Sequence, residues 1–368
     1  MTVALTDLAT QYQQLKAVID ERIQQVLNHG QYILGPEVAE LEATLADFVQ
    51  TKYAVGVSDG TTALQMALMA LNIGSGDEVI TTPFTFISTA ETIALLGATP
   101  IYVDIDPISY NMDPKNIASA ITPRTKAIMV VNLYGQCADF DAINAIAQEH
   151  GLAVIEDAAQ SFGGQYKGRR SGRLATISCT SFYPAKPLGC YGDGGMCFTN
   201  DAALAQQLRL MRIHGQSERY VHTTLGLNGR LDTLQAAILL AKFPTFEAEI
   251  MARQQVAKNY DALLKGFVKI PQIAPDCLSA YAQYTIQINN RPHVQAVLAK
   301  QGIPTAVHYP IPLHQQPALC MAQQSSRAFI HTEAASTTVL SLPMHPFLDV
   351  ATQQYIAQVL KEAVGYHG

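Results

Sequence analysis

No run of lysine or arginine occurs in this sequence, and its 24 basic residues are outnumbered by 30 acidic ones, for a net charge of −6. Nucleic-acid binding draws on clustered positive charge and is not expected. No uncharged apolar run reaches the roughly 20 residues that span a bilayer, so no membrane segment is expected. The start, Met1 to Lys16, has no charged stretch followed by an apolar one, which argues against a secretory signal and for a cytoplasmic protein. The six cysteines (Cys137, Cys179, Cys190, Cys197, Cys277, Cys320) form no CxxC pair and mostly sit in apolar stretches, so reduced, buried thiols are expected. Walker A, GxGxxG and HExxH motifs are missing, no serine nucleophile elbow is expected, and neither an internal repeat nor a low-complexity stretch is found.

What is there is apolar material. It makes up 48% of the 368 residues, with only 15% charged. Disorder is not indicated, and the length suggests two domains. Gln14 to Asn28 has helical periodicity and stops near Gly30; Pro36 to Gln50 reads as an amphipathic helix behind Gly35. From Tyr53 a second rhythm begins. Short apolar runs (53–58, 78–83, 100–104, 126–133, 152–157, 176–182, 195–199) alternate with helical patterns (61–71, 87–96, 140–150, 202–213). That alternation predicts an α/β fold with a largely parallel sheet, helices on both faces, and ligands at the carboxyl ends of the strands. After a long helical pattern over 246–265, mixed elements follow at 281–288, 292–301, 305–309 and 353–363. The expected division is 1–245 for an N-terminal segment with a large domain, and 246–368 for a smaller α+β domain.

Several strand ends carry chemistry. Ser58-Asp59-Gly60-Thr61-Thr62 opens a helix, whose free N–H groups and partial positive charge suit a phosphate; it is equally an ordinary helix cap. Asp157 ends the most apolar run, where a carboxylate is costly without a cation or several donors; a cap or structural ion pair would also serve. Lys186 lies in a Pro/Gly-framed turn after a buried run. Such a lysine is ordinarily a solvated charge, but loss of water would make it a nucleophilic amine. Asn228 and Arg230 precede an apolar helix, with Asp232 as its possible cap; Arg230 could grip a carboxylate or phosphate. His308 and His314 have no third ligand at a metal spacing, so no metal is expected.

Gly60-Thr61, Glu156-Asp157-Ala158-Ala159-Gln160, Ser181-Phe182 with Lys186, Gly192-Asp193-Gly194-Gly195 and Asn228-Gly229-Arg230-Leu231-Asp232 occur in this order at fitting spacings. Together they resemble the DegT/DnrJ/EryC1/StrS family of nucleotide-sugar aminotransferases, over nearly the whole chain. The resemblance implies the type I fold of pyridoxal 5'-phosphate enzymes, with a mostly parallel seven-stranded sheet, a smaller α+β C-terminal domain and a homodimer with shared active sites. It implies Lys186 as the Schiff-base lysine and Asp157 as partner of the pyridinium nitrogen. Gln160 would lie by the cofactor's phenolic oxygen, and Phe86 would stack on its ring. Gly60, Thr61 and Ser181 would hold the phosphate, with Asn228 reaching in from the neighbouring subunit. Asp59 stands where relatives often carry Asn, which makes the phosphate end more acidic.

Residues 28–36, 133–139, 281–284 and 308–313 resemble most closely the members that aminate a UDP-linked 3-oxo, N-acetylated uronic acid for bacterial surface polysaccharide such as O-antigen. That likeness implies sugar-nucleotide contacts from Gly30, Tyr32, Arg230, His308 and Tyr309, with L-glutamate as amino donor in a ping-pong cycle. Lys186, once released from the cofactor, would move the proton. A dTDP-linked or 4-keto sugar is the alternative substrate. Related dehydratases carry His in place of the lysine, which Lys186 argues against. The intact Lys186, Asp157 and Gln160 set argues against a non-catalytic regulatory protein.

Overall fold

Short Val- and Ile-rich runs bounded by turn residues build the strands. The structure, a computed structural model, describes residues 3–319 and 328–365. Helix α1 (Leu8–His29) starts where the Asp7 carboxylate accepts from the Thr10 N–H at 3.0 Å, and it stops at left-handed Gly30. Its first turns precede the expected Gln14 start. Helix α2 (Pro36–Val49) opens on its proline as expected. Then follow β1 (Tyr53–Val57), α3 (Gly60–Ala70), β2 (Glu78–Thr81), α4 (Ser88–Leu95), β3 (Thr99–Tyr102), β4 (Thr125–Val131), α5 (Phe140–Glu149) and β5 (Ala153–Asp157). The series ends with β6 (Ile177–Ser181), β7 (Gly195–Thr199), α6 (Ala202–Met211) and α7 (Thr233–Lys242).

These seven strands form one sheet in the order β1-β7-β6-β5-β4-β2-β3. Four of the six pairings are parallel; β7 runs antiparallel to both β1 and β6. One cluster packs Leu64 and Met66 of α3 with Val55, Ile155 and Ile177, and another packs Phe140 and Ile143 of α5 with Ile80, Ile128 and Val130. With both faces covered, the strands are apolar throughout, as buried parallel strands are.

Beyond lie α8 (Phe246–Leu264), β8 (Tyr284–Gln287), α9 (Arg291–Lys300), α10 (Ile330–Thr338), β9 (Val339–Leu342) and α11 (Val350–Gly365). The β8–β9 antiparallel pair packs with α8, α9 and α11 around Tyr260, Tyr284, Leu298, Leu342 and Ile356. The strand expected at 305–309 contributes only one bridge, Ala306 to Ser341. Pro304 and Pro310 flank it; each lacks an N–H and fixes φ, which interrupts a ladder. Asp232 precedes α7 without making a side-chain cap, contrary to one expectation for it. Cys137, Cys179, Cys190 and Cys197 are buried and free, while free Cys277 is only partly buried; Cys320, also expected to be a buried thiol, lies outside the described residues. Among the described residues no helix is long and apolar enough to cross a membrane.

Successive strand residues face opposite ways, so Glu156 and Asp157 at the end of β5 part company. Glu156 is fully buried and clamps the following loop. It accepts from the Ser178 and Ser171 hydroxyls at 2.6 and 2.8 Å, from the Asn132 amide at 2.9 Å, and from the Gly172 and Leu174 N–H groups at 3.1 Å. Glu156→Ala strands these donors in the core. A loss of about 3 kcal/mol or more in unfolding free energy is expected by denaturant titration, since each unsatisfied buried donor costs about 1–3 kcal/mol. A loss below about 1 kcal/mol would refute the clamp.

Candidate active site

The carboxyl ends of β1, β4, β5 and β6 open into one cavity of about 610 Å³. Asp59, Gly60 and Thr61 line it after β1, Phe86 after β2, Asp157 and Gln160 after β5, and Ser181 and Lys186 after β6; His308 and Tyr309 close it from the C-terminal part.

At the β1 end, the helix-cap reading is the one seen directly. The Asp59 carboxylate caps α3, accepting from the Thr62 N–H, the Thr62 hydroxyl and the Ser58 hydroxyl, each at 2.8 Å. That turns the acidic side chain to a structural task and leaves Gly60 and Thr61, the first helical residues, at the cavity wall. The backbone approach is tight: a Cβ on Gly60 would sit 2.6 Å from the Ser181 Cβ. An anion at this helix start would meet N–H groups and the positive end of the helix.

Lys186 sits in a turn closed by its own N–H to the Tyr183 carbonyl (2.8 Å) and by the Cys190 N–H to the Phe182 carbonyl (2.8 Å). From below, the buried Lys242 ammonium donates to the Gly189 carbonyl. Burial lowers the Lys186 ammonium's pKa, and the Asp157 carboxylate partly restores it. Burial likewise raises Asp157; the Ala159 N–H (3.0 Å), Lys186 and the Thr89 hydroxyl oppose that rise. A cation brought beside Asp157 would therefore be strongly favoured. A protonated ring nitrogen over Asp157, an aromatic ring under the half-exposed Phe86 and a phosphate at Gly60-Thr61 fit this set of residues.

Gln160 links the two parts of the chain. Its Oε1 accepts from the Tyr134 N–H at 2.7 Å and its Nε2 donates to the Tyr309 hydroxyl at 3.2 Å, while the Tyr134 hydroxyl donates to the His308 carbonyl. The Tyr309 ring lies 6.2 Å from that of Phe86. His308 shares a 2.9 Å hydrogen bond with the Ser341 hydroxyl, and burial first, then the nearby Lys186 charge, lower its pKa to about 4. In the unfolded chain His308 takes a proton near its ordinary 6.5. Its stabilising contribution is therefore full above pH 6.5 and is lost as pH falls from 6.5 toward 4. His308→Gln is expected to flatten the pH dependence of stability of the cofactor-free protein across that window, by up to about 3 kcal/mol. An unchanged slope would contradict it.

The cavity wall of this chain thus gathers Lys186, Asp157, Gln160, Gly60, Thr61, Ser181, Phe86, His308 and Tyr309. Gly30, Tyr32, Asn228 and Arg230 stand outside it. Asn228 is exposed, Tyr32 is 47% exposed, and the buried Nε of Arg230 has no hydrogen-bond partner among the described residues. Arg230 bridges to Val57 and the Ser58 N–H donates to the Gly229 carbonyl, so this segment lies along β1 just before the Gly60 loop. The sequence reading missed Tyr134, whose left-handed backbone (φ 59°) in Leu133-Tyr134-Gly135 is the one local signal. It also missed Gln283, which lines the cavity.

The DegT/DnrJ/EryC1/StrS aminotransferase family matches residues 13–361. The chain is 58% identical, over 97% of its length and 99% of the relative's, to the UDP-2-acetamido-2-deoxy-3-oxo-D-glucuronate aminotransferase of Pseudomonas aeruginosa. Its structure resembles a DegT DnrJ EryC1 StrS aminotransferase from Brucella abortus, with a TM-score of 0.95 and 42% identity over 99% of each chain. It also resembles ntda from Bacillus subtilis with bound cofactor PMP, with a TM-score of 0.90 and 30% identity over 96% of this chain and 82% of that one.

Proposed function

The chain belongs to the DegT/DnrJ/EryC1/StrS aminotransferase family, and from that premise we propose that it moves the amino group of L-glutamate to the 3-keto carbon of a UDP-linked N-acetylated uronic acid, in bacterial surface polysaccharide biosynthesis. It is a sugar aminotransferase of the pyridoxal phosphate type. The substrate reading rests on the 58% identity to the Pseudomonas aeruginosa enzyme.

Bound pyridoxal phosphate supplies an electron sink for the carbanion formed at the amino acid's Cα. The residues of the chain do the rest. Asp157 would keep the ring nitrogen protonated, and Phe86 would cover the ring. Gly60, Thr61 and Ser181 would hold the phosphate, and Gln160 would meet the phenolic oxygen. Lys186 would hold the cofactor covalently and, once displaced by the incoming amine, its Nζ would take the proton from Cα. The lowered pKa of Lys186 supports that task, since the base must be neutral to accept the proton.

Asn228, Arg230, Gly30 and Tyr32 stand outside this chain's cavity. In the proposal they serve a second copy: a cytoplasmic homodimer in which Asn228 meets the neighbour's phosphate and the others its sugar nucleotide. Residues 1–245 and 246–368 act as its large and small domains, with His308 and Tyr309 carrying substrate contacts from the small one. The test is incubation of the cofactor-loaded protein with L-glutamate and a panel of keto nucleotide sugars, scored by mass. Amination of the UDP-linked 3-keto uronic acid is expected; exclusive amination of a dTDP-linked or 4-keto sugar would overturn the substrate reading.

A further inference from the structure

Gln283 lies one residue before β8, on the wall that also carries His308 and Tyr309. Its backbone is fixed to the cofactor side, where its N–H donates to the carbonyl of Tyr134, the residue whose own N–H is bound to Gln160. Its side-chain Oε1 is buried and has no hydrogen-bond partner among the described residues. A buried acceptor without a donor is costly, so a site that keeps one calls for a donor from the ligand.

The chemistry of that donor separates the two substrates. L-Glutamate presents two carboxylates, which are acceptors, and its single ammonium is committed to the reaction. Among the described residues the cavity lining holds no arginine and no lysine besides Lys186, so it is poor in partners for those carboxylates. The acceptor sugar proposed above carries a carboxylate as well, but it adds two donors that glutamate lacks, its free ring hydroxyl and its acetamido N–H. We propose that the Gln283 side-chain carbonyl accepts a hydrogen bond from a hydroxyl or the acetamido N–H of the acceptor sugar, and that Gln283 thereby sets specificity in the second half of the cycle. This rests on the sugar-aminotransferase reading above.

The test takes the two half-reactions apart. Loss of the cofactor's visible absorbance on adding L-glutamate reports the first; its return on adding the keto nucleotide sugar that the wild type accepts reports the second. Gln283→Leu keeps the bulk and removes the acceptor. It is expected to weaken apparent sugar binding about tenfold, the effect of one lost hydrogen bond, equal to about 1.4 kcal/mol, while the glutamate half-reaction stays within about twofold. Gln283→Glu keeps an acceptor and is expected to bind the sugar at least as well as the leucine variant.

Equal losses in both half-reactions, or no change in either beyond a lower melting temperature, would show a structural role and overturn the proposal. So would Gln283→Glu binding sugar far worse than Gln283→Leu, because that pattern marks an Nε2 donating to a carboxylate. If the wild type accepts a different sugar from the panel, the uronic acid reading falls while the Gln283 comparison is read on the sugar it accepts. A wild type that aminates no keto sugar overturns both.

Discussion

Lys186→Ala is expected to cut turnover by more than about a thousandfold and to leave the purified protein without the visible absorbance of lysine-bound pyridoxal phosphate. The size follows from two tasks resting on one amine. Lys186 is the only lysine or arginine among the described residues lining the cavity, so no neighbour can take over covalent attachment or proton transfer. Asp157 and Gln160 would keep their hydrogen bonds, none of which involves the lysine side chain, and Asp157, without the nearby charge, would hold its proton more readily. The variant should therefore fold and melt close to the wild type. Retained transamination would sink the assignment of Lys186 outright.

Asp157→Asn is the second large effect, and its two readouts should move in opposite directions. Catalysis is expected to fall by about 10² to 10⁴, because a neutral amide cannot hold the proton on the ring nitrogen. Stability of the cofactor-free protein is expected to rise. Burial raises the Asp157 pKa in the folded state, so the unfolded chain ionises more readily and the carboxylate costs stability as pH climbs above its ordinary 3.8. The amide removes that cost at neutral pH. Thermal melting of the cofactor-free proteins beside turnover of the loaded ones checks both. A variant that loses stability and keeps activity would make Asp157 an ordinary structural acid.

Much of this was legible because the central strands are apolar on both faces and short, so runs such as 152–157 and 195–199 mark them within a residue or two. The antiparallel course of Gly195–Thr199 was not, since apolar pattern carries no direction. Ile330–Thr338 and Val339–Leu342 escaped notice because the helix has few apolar residues to repeat and the strand is four residues long. In the site, Lys186, Asp157 and Gly60 were visible as unusual residues at strand ends. Tyr134 and Gln283 were not, because what marks them is a partner far away in sequence, or the want of one.

The adjacent carboxylates of Glu156 and Asp157 also bear on how the chain finds its register. A slip of β5 by one residue would exchange their faces. A slip that carries Glu156 to the cavity would bring Ile155, which has no side-chain acceptor, to the five donors gathered around Glu156; the opposite slip would bring them Asp157, one methylene too short, and give the cavity Ala158. Both errors fall on buried polar groups, where mispairing is most heavily penalised. The hydrogen bonds of Glu156 thus favour the one register of β5 that presents Asp157 to the cavity.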